Sequence, residues 1–318
     1  MKKQKKEDVS ICLNCYKIRF KEKFKDNYLG LNDVFGTDDL VNIAQKFINT
    51  IDNKTFYRNR SQDRILYLNK ILEASKRKSV VAGILMKGHN GPETSIDELI
   101  KNEVKTVGRV TKDQFNCHPY FFLLYVNKKD PTNILFLAQS YRQYGFKEVF
   151  EEAFRDFVKA NSVNESKLEF NTLSVATLFE KYIKDGKLYK LRFIKHGLMK
   201  GAEGIVMGDK VEKKKNYEMQ LSVKSNAGFF NIKPNLKYND ASFVEQIQIE
   251  GFEFEEAYAD VIVGGRKRVL NLSKPKEFSA AYDITKEVAI DSRTKLPNFT
   301  QVLSEAMSIL NNDLIPYV

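Results

Sequence analysis

The sequence predicts an α+β protein of two domains, with mixed or antiparallel sheets and packed amphipathic helices. Three observations predict it. Short runs rich in β-branched and aromatic residues, bounded by turn residues, recur along the chain. Between them lie stretches with apolar residues at spacings of three and four, the period of a helix with one buried face. The alternation is irregular, unlike that of a doubly wound parallel sheet, and 318 residues exceed the usual size of one domain.

Taken in order, the first nine residues, with Lys2, Lys3, Lys5 and Lys6, form a basic tail expected to fray. Val9 to Phe20 is dense in strand formers. Thr37 is placed to cap a helix whose apolar face is Leu40, Ile43, Ala44, Phe47, Ile48 and Ile51. Residues 52–78 are basic, with Arg58, Arg60, Arg64, Lys70, Lys76, Arg77 and Lys78. Val80 to Met86 reads as a buried strand that ends in the turn Gly88-His89-Asn90-Gly91-Pro92. Pro119 to Val126 and Ile134 to Ala138 read as a hairpin around Asp130-Pro131-Thr132-Asn133. The clearest helix follows: Phe146, Val149, Phe150, Ala153, Phe154 and Phe157 form one stripe, opposite Glu148, Glu151, Glu152, Arg155 and Asp156. Residues 160–167 are polar, small and aperiodic, so they read as a linker between domains 1–163 and 164–318.

The second half opens with a short strand, Leu168 to Phe170, and a helix capped by Ser174 that carries Leu178, Phe179, Tyr182 and Ile183 and stops at Gly186. Tyr189 to Ile194 and Met219 to Val223 read as strands separated by a Gly- and Lys-rich loop, 196–216. Tyr258 to Val263 and Arg266 to Leu272 read as a hairpin turned by Gly264-Gly265. The last helix carries Phe299, Val302, Leu303, Ala306, Ile309 and Leu310.

Hydrophobic residues make up 42% of the chain, with 23 Phe and 15 Tyr, enough apolar surface for real cores and too much for wholesale disorder. Lys and Arg total 52 against 41 Asp and Glu, a net charge of +11. That field favours polyanions, although a lysine-rich surface accounts for the same number. Three Cys cannot build a disulfide framework. Glu7 and Asp8 follow the basic start where a signal peptide needs apolar residues. No run approaches the ~18 residues of a spanning helix. A cytoplasmic protein without direct membrane insertion is expected.

Residues able to carry chemistry are sparse. Cys12-x-x-Cys15 lacks a second pair, and a separation of three within a strand points the two thiols to opposite faces. His89, His118 and His196 have no companions at metal or triad spacing. Gly88-His89-Asn90-Gly91 lacks the Gly-Lys-Ser/Thr ending of a phosphate loop. Glu103-Val104-Lys105, with Asp97 nearby, and Glu212-Lys213-Lys214 have the Glu-x-Lys form of magnesium-dependent nucleases, a tripeptide that chance supplies in a Glu- and Lys-rich chain. No catalytic, cofactor-binding or metal-binding residue is therefore assigned. A nuclease effector and a protein-interaction or sensor module remain as alternatives.

The basic clusters are more telling. Arg266-Lys267-Arg268 flanks the glycine turn, with Lys274 and Lys276 following. Lys213-Lys214-Lys215 precedes a strand, and Lys190, Arg192 and Lys195 lie on or beside another. Cations on a hairpin or ribbon can straddle a phosphate backbone. Helix-turn-helix, zinc-finger, basic-zipper and aromatic RNA-binding signatures do not occur, so the expected activity is backbone binding of double-stranded DNA without base readout.

The chain also resembles the RexA-like phage-exclusion proteins of temperate phages. The residues that carry this are Tyr16-Lys17-Ile18-Arg19-Phe20, Phe121-Phe122-Leu123-Leu124-Tyr125-Val126, Leu168-Glu169-Phe170-Asn171-Thr172-Leu173, Leu191-Arg192-Phe193-Ile194 and the stretch Ala257 to Asp283, with Leu270-Asn271-Leu272-Ser273. The likeness lies in architecture and scattered residues rather than in one sharp motif. It implies a two-domain homodimer that binds double-stranded DNA with little sequence preference, serves antiviral defence by abortive infection, and has a membrane-protein partner. The Cys12/Cys15 pair and the loop 196–216 fall outside that pattern, and the family supplies no catalytic residues.

Overall fold

The computed structural model describes residues 10–52, 54–100, 103–142, 144–173, 186–197, 218–226, 228, 249–263, 266–273 and 281–315, the side chains of 263 and 266–268 excepted. The chain divides into two compact units, Met1–Leu173 with Ala281–Ile315, and Ser174–Ala280 with the last three residues. The architecture is α+β, with antiparallel sheets.

The first unit is built on a ten-stranded sheet. Its strands are β1 (Ile11–Glu22), β2 (Tyr28–Leu29), β3 (Tyr57–Arg58), β4 (Arg64–Ser75) and β5 (Val80–His89). After a separate two-stranded ribbon, β6 (Thr94–Ile100) with β7 (Glu103–Val110), come β8 (Asn116–Asn127), β9 (Asp130–Tyr141), β10 (Tyr144–Gly145), β11 (Ser166–Thr172) and, late in the chain, β16 (Ala281–Asp283). The main order is β11-β1-β9-β8-β5-β4-β3. Helices α1 (Leu31–Phe35), α2 (Leu40–Asn49) and α3 (Lys147–Asn161) pack on one face of this sheet, and α4 (Phe299–Ile309) packs against β8. The second unit contains a four-stranded sheet of order β13-β12-β14-β15, from β12 (Lys187–His196), β13 (Glu218–Lys224), β14 (Glu256–Val263) and β15 (Arg266–Asn271).

Strand alternation explains why β8 is apolar at every position from Tyr120 to Leu124. Tyr120, Phe122 and Leu124 join the core under α2 and α3, whereas Phe121 and Leu123 are buried on the opposite face. The α3 stripe is as the sequence predicts: Phe146, Val149, Phe150, Ala153, Phe154 and Phe157 are all buried. Phe150 stacks on Phe136 of β9, with centroids 4.3 Å apart, and meets Phe47 of α2 edge-on at 5.4 Å.

Several expectations are corrected. The cap of α2 is Asp39, not Thr37: its carboxylate accepts from the Val41 and Asn42 amides at 3.0 and 3.2 Å, while Thr37 Oγ1 accepts from the Asp39 amide. The β8–β9 turn is Lys128-Lys129, and Asp130-Pro131-Thr132-Asn133 belongs to β9. Gly88 and His89 continue β5. Residues 160–167 are not a boundary: they link α3 to β11, which pairs along β1 and buries Leu168 and Phe170 in the first core. The unit ends instead at Leu173. The last helix, expected in domain 164–318, belongs to the first unit, because β16 pairs Cys12–Asn14 with Asp283–Ala281 and brings the chain back. The helix expected after Ser174 and the Gly264-Gly265 turn lie outside the described residues.

The Asp39 cap yields a stability prediction. Its hydrogen-bonded ion pair with Lys76, 2.7 Å away, and the two amides hold the Asp39 carboxyl below its usual pKa. Asp39→Ala should cost about 1 kcal/mol in urea denaturation at neutral pH. A depressed carboxyl stabilises fully above the unfolded-state value of about 3.9 and loses that contribution as pH falls through the folded-state value. The deficit of the variant should therefore shrink in acid, and a deficit independent of pH contradicts the assignment.

Candidate nucleic-acid interface

In the second unit, Lys190 and Arg192 follow a bulge at Leu188/Lys190 and, being two positions apart, share one face of β12, in register with Asp260 and Tyr258 of β14. Arg192 is neutralised there: Nη2 and Nε reach Asp260 Oδ1 at 2.7 and 3.2 Å, and the guanidinium lies 5.2 Å from the centre of the Tyr258 ring. Lys195 Nζ meets Glu253 at 3.2 Å, and His196 faces Glu256 at 3.6 Å. Two of the expected phosphate ligands, Arg192 and Lys195, thus already hold carboxylates. Lys190 makes no ion pair among the described residues and lies in register with Lys224 of β13. Arg266, Lys267 and Arg268 occupy β15 positions opposite Val263, Ile262 and Val261. The side chains of these three residues are not among those described. Lys213, Lys214, Lys215, Lys274 and Lys276 lie outside the described residues.

The first unit brings together a basic surface that the sequence does not announce. The connection between β4 and β5 is Lys76-Arg77-Lys78-Ser79, and that between β8 and β9 is Lys128-Lys129. Because β5 pairs with β8, Val80 faces Tyr125, and the Val126 amide donates to Ser79 O at 3.2 Å. The two turns are therefore neighbours at one end of the sheet. Ser79 adopts φ 51, which turns the first connection back into β5, and Asn127 Oδ1 accepts from the Lys129 amide at 3.0 Å, fixing the second.

All five cations on these turns are exposed. Lys76 pairs with Asp39 at 2.7 Å and Lys78 with Glu73 at 3.3 Å. Arg77, Lys128 and Lys129 have no ion pair among the described residues. Lysines elsewhere at this end of the sheet behave differently: Lys21, Lys23 and Lys25 meet Asp26, Glu165 and Glu22 at 2.6, 2.6 and 2.7 Å. Between the turns and the start of α2 lies a cavity of about 410 Å³ to which Lys76, Lys128, Asp38 and Asp39 contribute. The Asp39 charge there is taken up by Lys76 and two backbone amides.

The alternative chemistries find little geometry. Asp97 pairs in register with Thr106 and accepts from its hydroxyl at 2.7 Å, whereas Glu103 faces Ile100. On this ribbon the two carboxylates belong to opposite faces and cannot share a metal ion. Among the described residues no group of three His, Cys, Asp or Glu side chains could hold a metal. Cys15 is buried and Cys12 half-buried on opposite faces of β1, and burial pushes the Cys117 thiol pKa up. Among the described residues no helix is long and apolar enough to cross a membrane.

No protein-family model matches this chain, and no curated protein matches it.

Proposed function

We propose that this chain binds the phosphate backbone of double-stranded DNA with little sequence preference. The observation that supports this most is the trio Arg77, Lys128 and Lys129, exposed on two adjoining hairpin ends without carboxylate partners among the described residues. Free cations of this kind release condensed counterions when they meet phosphates. The turns carry Lys, Arg and Ser but no aromatic ring. Single-strand binding relies on such rings as stacking platforms, so backbone contact with a duplex suits these residues better. Contacts made by such turns to phosphates position a protein on the backbone and leave base edges unread.

In this reading, Lys190 and the segments around 213–215 and 266–276 add a second contact region. A place in a phage-exclusion system of the cytoplasm, a homodimeric state and a membrane-protein partner are proposed on the RexA-like resemblance alone. The direct test is fluorescence anisotropy with two duplexes of unrelated sequence at physiological salt. Equal affinities within about threefold are expected, since phosphate contacts carry no sequence information. A strong preference for one duplex, or no binding to either, overturns the proposal.

A further inference from the structure

At the opposite end of the same sheet, where β5 and β9 finish and β8 begins, a cavity of about 550 Å³ opens. That volume is in the range of sites for small organic ligands, ~300–1,000 Å³. Among the described residues its lining is cationic and aromatic and includes no carboxylate. Lys87 and His118 face each other across β5 and β8. His89 stands two positions beyond Lys87, and Lys295 closes the wall from the segment before α4. Tyr120 and Tyr141 supply two rings with centroids 5.4 Å apart, and Tyr144, 64% exposed, stands at the rim.

Lys87 is held in place rather than neutralised. Its Nζ donates to Gly145 O, leaving further N–H donors. Burial, reinforced by Arg64, lowers its pKa, and the opposing influences of Glu148 and Asp63 are smaller. Glu148 is itself bound to Arg64 at 2.6 Å, and Asp63 accepts from Ser61 and Asn59. Asp291, the acidic neighbour of Lys295, is taken up by the amides of Arg293 and Thr294 and by the Thr294 hydroxyl. A half-buried ammonium beside a second lysine and two imidazoles calls for an anion. Three phenol rings call for a flat, partly apolar group next to it.

We propose that this cavity binds a nucleoside monophosphate, its phosphate on Lys87, His118 and Lys295 and its base against the tyrosines. The same chemistry is offered by a free nucleotide and by the phosphorylated end of a nucleic-acid strand. The site is separate from the hairpin ends that carry the proposed duplex binding, so either can fail without the other.

The test is calorimetric titration of the full chain with AMP, adenosine and inorganic phosphate. AMP should bind, with adenosine and phosphate each at least about tenfold weaker, because each retains half of the contacts. Tyr144→Ala and Lys295→Asn are both at exposed positions, and Asn tolerates the φ of 59 found at residue 295. Each should weaken AMP at least about fivefold while leaving duplex affinity unchanged. A 5′-phosphorylated oligonucleotide that outcompetes its unphosphorylated twin for AMP identifies the strand end as the source. AMP binding without that difference identifies the free nucleotide. No heat with millimolar AMP, or affinity unaltered in both variants, overturns the proposal.

Discussion

Changing Arg77, Lys128 and Lys129 together to glutamate is expected to weaken duplex binding roughly tenfold to a hundredfold at physiological salt. The three side chains are exposed and hold no ion pair among the described residues, so the fold should be untouched and circular dichroism unchanged. The control is a chain with the same change in net charge, Lys21→Glu, Lys23→Glu and Lys25→Glu. Those lysines already sit on carboxylates at 2.6–2.7 Å, so they offer phosphates less. Anisotropy titrations should separate the two triple variants. Equal losses in both would mean that only total charge matters, and the hairpin ends would lose their special role.

The largest stability effect is expected at Phe150. Its ring stacks on Phe136 at 4.3 Å and meets Phe47 at 5.4 Å, Phe154 at 5.9 Å, Phe146 at 6.0 Å and Phe170 at 6.3 Å. It therefore ties α2, α3, β9 and β11 into one core, and its own exposure is 0%. Phe150→Ala removes the ring and leaves a cavity that these neighbours can only partly refill, at a cost of about 3–5 kcal/mol in urea denaturation. Phe24→Ala is the contrast: that side chain is 93% exposed, and its loss should lie within about 0.5 kcal/mol. A mild effect at Phe150 would mean that the aromatic cluster does not hold the unit together.

The α3 and α4 stripes were legible because each follows the helical period, with Phe299 and Leu303 of α4 only half-buried, and the β8 run because a continuous apolar stretch suits a strand buried on both faces. β4 was not legible, since bulges at Leu68/Lys70 and Ile71/Glu73 break its alternation and basic residues dominate the surrounding segment. The ribbon β6–β7 was missed for a related reason: it is exposed along nearly its whole length, so no buried face imposes a pattern. The return of β16 and α4 to the first unit is a long-range event that no local spacing records.

The same distinction governs the candidate interface. Lys76-Arg77-Lys78 was visible as a basic stretch, but its meeting with Lys128-Lys129 depends on the β5–β8 pairing and on the position of the β8–β9 turn. Placing that turn at Asp130-Pro131-Thr132-Asn133 concealed the two lysines. Conversely, Arg192 and Lys195 looked available as residues in a string, and only the fold sets Asp260 and Glu253 beside them.

The most direct measurement is the dependence of duplex affinity on salt. Plots of log affinity against log salt concentration should be steep for the native chain. They should become shallower by about 2.7 when Arg77, Lys128 and Lys129 are replaced by alanine, at about 0.9 for each phosphate that is no longer neutralised. An identical slope in the two proteins would show that these three cations touch no phosphate.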